Sequence, residues 1–427
     1  MFSLRLPGDL TPNRLTRTLS DLRAQGRAIL DLTLSNPTRA GFDYPSDLLA
    51  PLADDRALIY EPNARGAPAA RQAVAHEYQR QGVTVSTDQI VLTASTSDAY
   101  SLLFKLLTDA GDEVLVPRPS YPLFEHLTHL DLLVPRPYDL EYDGRWSIDF
   151  ASVARALGPR TRALLIVSPN NPTGSFVTGA ELDRLAATCT PRNIAVISDE
   201  VFADYHLEVD AFERAGRMLT REDVLSFSLG GLSKSAGLPQ VKLGWIAAGG
   251  PPALVNAAVE RLELIGDTYL SVATPVQMAA SLLLERGATV RTQIQARVAE
   301  NYRWLRQRTV SSACTTLRSE AGWYAVLQVP RVRSEEDLVL SLLTADGVLV
   351  HPGYFYDFPR EAYLVVSLLV PEVVLQDGID CVLRHFDCKP GTATISGVSE
   401  DTMPPPTPAG DVPIARRSGR LVPVEDE

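Results

Sequence analysis

The residue with the most chemistry open to it is Lys234, in the stretch GGLSKSAGLPQVKLGW over 230–245. Apolar runs at 224–228 and 243–248 flank that stretch and read as two buried strands. The lysine therefore stands at the tip of a core strand, among Ser233, Ser235, Gly230, Gly231 and Gly237. An amine there is costly to bury unless it has a partner or performs a reaction. The reaction open to it is nucleophilic: lysine condenses with carbonyl compounds to form Schiff bases. The competing reading is an ordinary solvated loop lysine.

Further polar clusters follow other apolar runs. Asp199 closes the run 194–197. A carboxylate there is poorly solvated and calls for a cationic partner. A protonated pyridine nitrogen would serve, as in pyridoxal phosphate (PLP) enzymes, whereas a helix-capping aspartate is the plain alternative. Asn171, in Asn171-Pro172-Thr173-Gly174, follows the run 163–167. Proline and glycine fix a sharp turn that aims the amide into a crevice, or simply make a turn. Ser95, Thr96 and Ser97 join a strand to a helix. Hydroxyls, free N–H groups and the helix dipole make that junction an anion site, or a good cap and nothing more. Tyr121, between Ser120 and Pro122, offers a ring to stack on a flat cofactor or to pack in the core. Lys242 offers a point charge to the same anion, or is a surface lysine.

The elements that must position these groups alternate from about residue 46. Helical spacing covers 68–81, with Pro68 suited to the first turn, then 97–107 and 179–188. Strands read at 89–93, 113–116, 163–167 and 194–197. They are apolar on both faces, as in a parallel sheet covered by helices, so ligands should collect at their carboxyl ends. Helices at 275–284 and 290–308 follow, the second linking two domains. Beyond them, strands at 322–329 and 363–368 and helices at 335–346 and 375–386 give a smaller α+β unit. The expected organisation is an N-terminal arm and small-domain segment (1–45), a large domain (46–288), a C-terminal small domain (289–388) and a disordered tail (389–427). The tail carries Pro404-Pro405-Pro406 and an acidic end and cannot bury a core.

Composition narrows the function. The 427 residues suffice for two domains, and the net charge of −12 argues against nucleic acid or anionic membrane as partner. The four cysteines lack metal-ligand spacing, so no metal and no disulfide framework is expected. No stretch approaches the roughly 18 apolar residues of a membrane span, and the first residues lack an apolar signal core, so a cytoplasmic location is expected.

Together, SPNNPTG (168–174), SDEVF (198–202) and GLSKSAGLPQVKLG (231–244) resemble the PLP-dependent class I/II aminotransferases of fold type I, the aspartate aminotransferase superfamily. The resemblance covers about 12–388. It implies an α/β fold, with a mainly parallel seven-stranded sheet flanked by helices and a smaller α+β domain. It implies that Lys234 carries the Schiff base and shuttles the substrate α-proton. Asp199 would pair with the pyridinium nitrogen, Asn171 would bond the phenolic oxygen and Tyr121 would stack on the ring. Ser95, Thr96 and Ser97 would hold the phosphate, with Ser233 and Lys242 nearby. Tyr60, in YEPNARG, matches the tyrosine that reaches the neighbouring subunit's phosphate, which implies a homodimer with shared active sites. An amino donor and a 2-oxo acid acceptor would be the small-molecule partners.

Four positions depart from the family pattern. Lys242 replaces an arginine and loses its bidentate fork. Phe202 replaces a tyrosine that donates to the cofactor's phenolic oxygen. Gly231 replaces a hydroxyl residue. Val365, in Tyr363-Leu364-Val365-Val366-Ser367, stands where an arginine grips the substrate carboxylate. Arg39 and Arg360 are the candidate replacements, or the substrate lacks that carboxylate. The expected activity is transamination, with a PLP-dependent lyase, cyclase or racemase as the alternative. A non-catalytic regulatory protein is disfavoured, since no helix-turn-helix extension or basic patch is found.

Overall fold

The computed structural model describes residues 2–208 and 215–387. The expected tail lies outside the described residues.

The N-terminal segment contributes a helix, Arg14–Ala24, and a short strand β1 (Leu30–Asp31). Eight strands then build the main sheet: β2 (Ile90–Thr93), β3 (Glu113–Arg118), β4 (Val134–Tyr142), β5 (Trp146–Ile148), β6 (Thr161–Val167), β7 (Ala195–Asp199), β8 (Ser226–Gly231) and β9 (Gly244–Gly249). Their spatial order is β2-β9-β8-β7-β6-β3-β4-β5. The strands from β8 through β4 run parallel, and β9 lies antiparallel between β2 and β8. The sheet thus has one strand more than expected. The nine-residue β4 runs on past β3 and folds back as a hairpin with the three-residue β5.

Alternate residues of the central strands enter two cores. Leu164, Ile166 and Val196 face one side, while Ala163, Leu165, Val167 and Ile197 face the other. This two-faced burial is why these strands read as unbroken apolar runs. The helices Thr96–Leu107 and Pro252–Tyr269 cover the second side with Leu103, Phe104, Val259 and Leu262.

The two helices expected at 275–284 and 290–308 form one helix of 36 residues, Thr274–Thr309. Gly287 suggests an interruption, yet isolated glycine is tolerated within a helix. Its missing side chain is used for packing: a Cβ there would meet the Ala236 Cβ at 2.5 Å.

The smaller sheet follows: β10 (Thr315–Thr316), β11 (Tyr324–Gln328), β12 (Val348–Leu349), β13 (His351–Pro352) and β14 (Tyr363–Ser367). Strands β10, β11, β14 and β13 pair antiparallel in that order, while β12 pairs parallel with β1. The N-terminal segment therefore joins this part of the molecule, and the Ser367 hydroxyl donates to the Leu34 carbonyl at 2.5 Å. The helix Glu372–Asp387 closes the described chain.

Candidate active site

Strand register brings the chemical groups to one edge. Thr93 pairs with Gly244, and Gly244 with Gly231. Leu229 pairs with Asp199, and Asp199 with Val167. The carboxyl ends of β2, β8, β7 and β6 thus lie along one row, with the start of the antiparallel β9 among them. Ser95, Lys234 and Asn171 follow two, three and four residues after the ends of β2, β8 and β6.

Lys234 sits on a one-turn helix, Leu232–Ser235, directly after β8. It is half-buried. Its Nζ lies 5.0 Å from the Trp323 ring and 5.6 Å from the Phe202 ring. Trp323 packs edge-on against Phe202 at 5.3 Å and against Tyr205 at 5.1 Å. The wall beside the amine is therefore aromatic, and the amine's charge is held over ring faces. The Tyr205 hydroxyl donates to the Lys234 carbonyl.

Asp199 is buried at the end of β7. It accepts 2.9 Å from the Tyr100 hydroxyl and 3.2 Å from the Val201 N–H. Burial pushes its carboxyl up to about 6, opposed by those two hydrogen bonds and by the charge of Lys234. A second cation against this carboxylate would offset its desolvation.

The two asparagines of the turn divide the work. Asn170 is saturated: its amide donates to the Pro119 carbonyl at 3.0 Å and to Thr173 Oγ1 at 2.9 Å, and its oxygen accepts from Ser120 at 2.9 Å. It locks the turn to the loop that carries Tyr121. Asn171 Oδ1 is buried with no hydrogen-bond partner among the described residues. A buried polar atom of that kind is expected to find one, and a bound ligand supplies it. Tyr121 is half-buried and meets Phe124 edge-on at 5.6 Å.

Ser95 caps the helix Thr96–Leu107, its Oγ accepting from the Asp98 N–H at 3.1 Å. The capping reading is thus correct for Ser95, and it leaves the hydroxyls of Thr96 and Ser97 at a helix N-terminus. A Cβ on Gly244 would lie 2.9 Å from the Ser95 backbone carbon. Glycine there lets the start of β9 close on the cap and brings Lys242 to the same edge. Lys242 is exposed, with a left-handed backbone (φ 58°). Ser233 is half-buried on the lysine turn.

Other expected residues stand apart. Tyr60 is 64% exposed beside exposed Leu58 and Ile59. Arg39 and Arg360 are exposed. Val365 is fully buried in β14, paired with Val326 and His351. Burial pushes the His351 imidazole down to about 4, so it is neutral at pH 7. The paired strands thus present no charge beside Val365. Sequence reasoning missed Tyr100, Trp323 and Tyr205. Tyr100 reads as a core position on its helix, and the other two carry no local signal.

The residues present fit pyridoxal phosphate: a half-buried amine, a buried carboxylate whose desolvation a cation would offset, an asparagine with an unpartnered buried amide oxygen and a helix N-terminus with hydroxyls. Comparison with known proteins agrees. The family model for aminotransferase class I and II matches residues 48–372, and the chain belongs to that family. It is a PLP-dependent aminotransferase, an enzyme that moves an amino group between an amino donor and an oxo acid. An alanine aminotransferase of Mycobacterium tuberculosis is 28% identical over 361 residues, covering 80% of this chain and 82% of that one. The glutamate-pyruvate aminotransferase AlaA of Escherichia coli is 26% identical over 375 residues, covering 86% and 91%. Among solved structures, an alanine aminotransferase from Pyrococcus furiosus superposes with TM-score 0.80 at 22% identity, covering 90% of this chain and 99% of that one. An aspartate aminotransferase of Thermus thermophilus gives 0.75 at 21% identity, covering 90% and 99%. Transamination is favoured over the lyase, cyclase or racemase alternative.

Proposed function

We propose that Lys234 is the residue that binds the cofactor and moves the substrate proton, and that the row of groups beside it completes the site. When bound, the cofactor supplies an electron-withdrawing ring through which the amino group passes from one substrate to the next. Lys234 would supply the amine that holds the cofactor covalently and a base for the substrate's α-proton. Asp199 would hold the proton on the ring nitrogen. Asn171 would meet the phenolic oxygen, and Tyr121 would cover the ring. Thr96, Ser97 and the N–H groups behind the Ser95 cap take the phosphate, with Ser233 and Lys242 adding a hydroxyl and a charge. The observation that carries this reading is a buried Asp199 carboxylate and an unpartnered Asn171 Oδ1 on the same strand-end row as Lys234.

The enzyme is a homodimer in this reading, with Tyr60 reaching the partner's phosphate site. The exposed group Leu58, Ile59 and Tyr60 supports it, since contiguous apolar surface marks an association site. No helix of the described residues is long and apolar enough to cross a membrane, and a cytoplasmic location fits the sequence. Arg39 and Arg360 are the cationic candidates for a substrate carboxylate. The names of the relatives make alanine, glutamate and pyruvate the first compounds to try.

Purified enzyme with added cofactor should show a visible absorption band that Lys234→Ala abolishes. A band that survives the substitution rejects Lys234. Conversion of the cofactor to its amine form by an amino donor identifies that donor, and replacement of Arg39 and Arg360 in turn assigns the carboxylate contact. Sedimentation at micromolar concentration should give twice the chain mass, and a monomer with full activity rules out shared sites.

A further inference from the structure

The turn that carries Lys234 is too short to hold itself in place. A helix of four residues leaves its last carbonyls without intrahelical partners, and one turn is not stable alone. Two of these carbonyls receive donors from elsewhere. The Tyr205 hydroxyl donates to the Lys234 carbonyl, and Arg291 Nη1 donates to the Ser235 carbonyl at 2.9 Å. A guanidinium there also meets the negative end of the turn's dipole.

Arg291 is held in turn. Its Nη1 lies 3.3 Å from Glu77 Oε1, both side chains being little exposed at 13% and 8%. Glu77 Oε1 accepts 2.6 Å from Arg80 Nη2, which also lies 2.5 Å from Asp204 Oδ1. Asp204 is the neighbour of Tyr205 in the chain. The bonds form a closed circuit: Lys234 to Tyr205, along the backbone to Asp204, then Arg80, Glu77, Arg291 and back to Ser235. The circuit fixes the C-terminal end of the turn and ties it, through Tyr205 and Asp204, to the segment that follows Asp199 at the end of β7 and carries Phe202.

One member of the circuit reaches farther. Arg291 lies on Thr274–Thr309, one turn after Gly287, which packs on Ala236 just beyond the lysine turn. On the same helix, Asn301 donates to the Leu368 and Val370 carbonyls at 2.8 Å each, directly after β14 of the smaller sheet. A single rigid element thus touches both the lysine turn and the smaller sheet.

We propose that Arg291 and Tyr205 are positioning residues for Lys234, and that through Arg291 the long helix sets the lysine's placement relative to the smaller sheet. The proposal rests on the assignment of Lys234 as the cofactor-binding lysine. Its test uses the holoenzyme and three variants: Arg291→Met, Arg291→Lys and Tyr205→Phe, the last keeping the ring against Trp323. Arg291→Met and Tyr205→Phe are expected to lower kcat about 10-fold, leave KM for the amino donor within about 2-fold and reduce the visible circular dichroism of the bound cofactor. Arg291→Lys retains a donor and a charge and should recover both signals in part. Should Arg291→Met fail to fold, Tyr205→Phe carries the test. Variants that lower only the unfolding temperature, with kcat and the dichroism as in the wild type, overturn the proposal. A visible band that persists in Lys234→Ala also overturns it, by removing the assignment beneath it, and is told apart because it needs no change at Arg291 or Tyr205.

Discussion

Tyr100 donates its hydroxyl proton to Asp199 at 2.9 Å, from a helix at the start of the large sheet to the end of β7. It is the side-chain donor that stabilises the ionised form of this buried acid. If Asp199 faces the ring nitrogen as proposed, its charge is maintained by a residue on the helix whose N-terminus is assigned to the phosphate. In that proposal, phosphate and ring nitrogen are served by the two ends of one short stretch, Ser95 to Tyr100.

Tyr100→Phe removes that donor and keeps the ring against Phe124. The carboxyl then rises further and pairs less well with a pyridinium. One such hydrogen bond to a charged group contributes about 1.5–3 kcal/mol, so cofactor affinity should fall at least about 10-fold in a spectrophotometric titration. An unchanged affinity rejects the role.

Asp199→Asn should act in opposite directions on fold and function. Burial raises the carboxyl from 3.8 to about 6 in the folded chain. The folded state therefore binds the proton more tightly than the unfolded one, and stability falls as pH rises between those values, then stays level. The cost at pH 8 is up to about 3 kcal/mol. In cofactor-free protein the substitution should raise stability at pH 8 and leave it unchanged near pH 4, while cofactor binding weakens. Equal effects at both pH values in urea denaturation contradict this account.

Gly287→Ala should destabilise despite alanine's better helix propensity. The gain of about 1 kcal/mol is outweighed, because the new Cβ would meet Ala236 at 2.5 Å for its Cβ and 3.2 Å for its Cα. Overpacking of that kind costs about 1–3 kcal/mol. Ala236 lies two residues after Lys234, so kcat should fall as well. Stability and kcat at wild-type values would mean that the contact is slack.

Phe202→Tyr adds a hydroxyl to a side chain 4% exposed, beside Trp323 and Tyr324. If that oxygen faces the bound cofactor, it donates to the phenolic oxygen and competes with the Schiff-base proton. The pH midpoint of the visible band should then fall relative to wild type. A midpoint that stays or rises shows that the ring of Phe202 is turned away.

The candidate groups are legible in the amino-acid sequence. Lys234, Asp199, Asn171 and Ser95 each follow an apolar strand within a few residues, and a strand buried on both faces announces its own end. A parallel sheet then gathers those ends at one edge without further information. Local signals also give Pro68 at a helix start and the Asn170–Gly174 turn, because caps and turns are decided by neighbours in the chain. The environment of those groups comes from long-range packing. Tyr100 reaches Asp199 across 99 residues, and Arg291 reaches Ser235 across 56. Trp323, just before β11 of the smaller sheet, brings its ring to 5.0 Å from the Lys234 amine. The continuity of the helix through Gly287 and the hairpin of β5 also depend on packing against distant elements. Such contacts leave no periodic trace, since a buried tyrosine or tryptophan reads the same in a pattern of apolar residues whether it fills space or faces a charge. Where each group stands is local, but its partners and its burial are set by the folded chain as a whole.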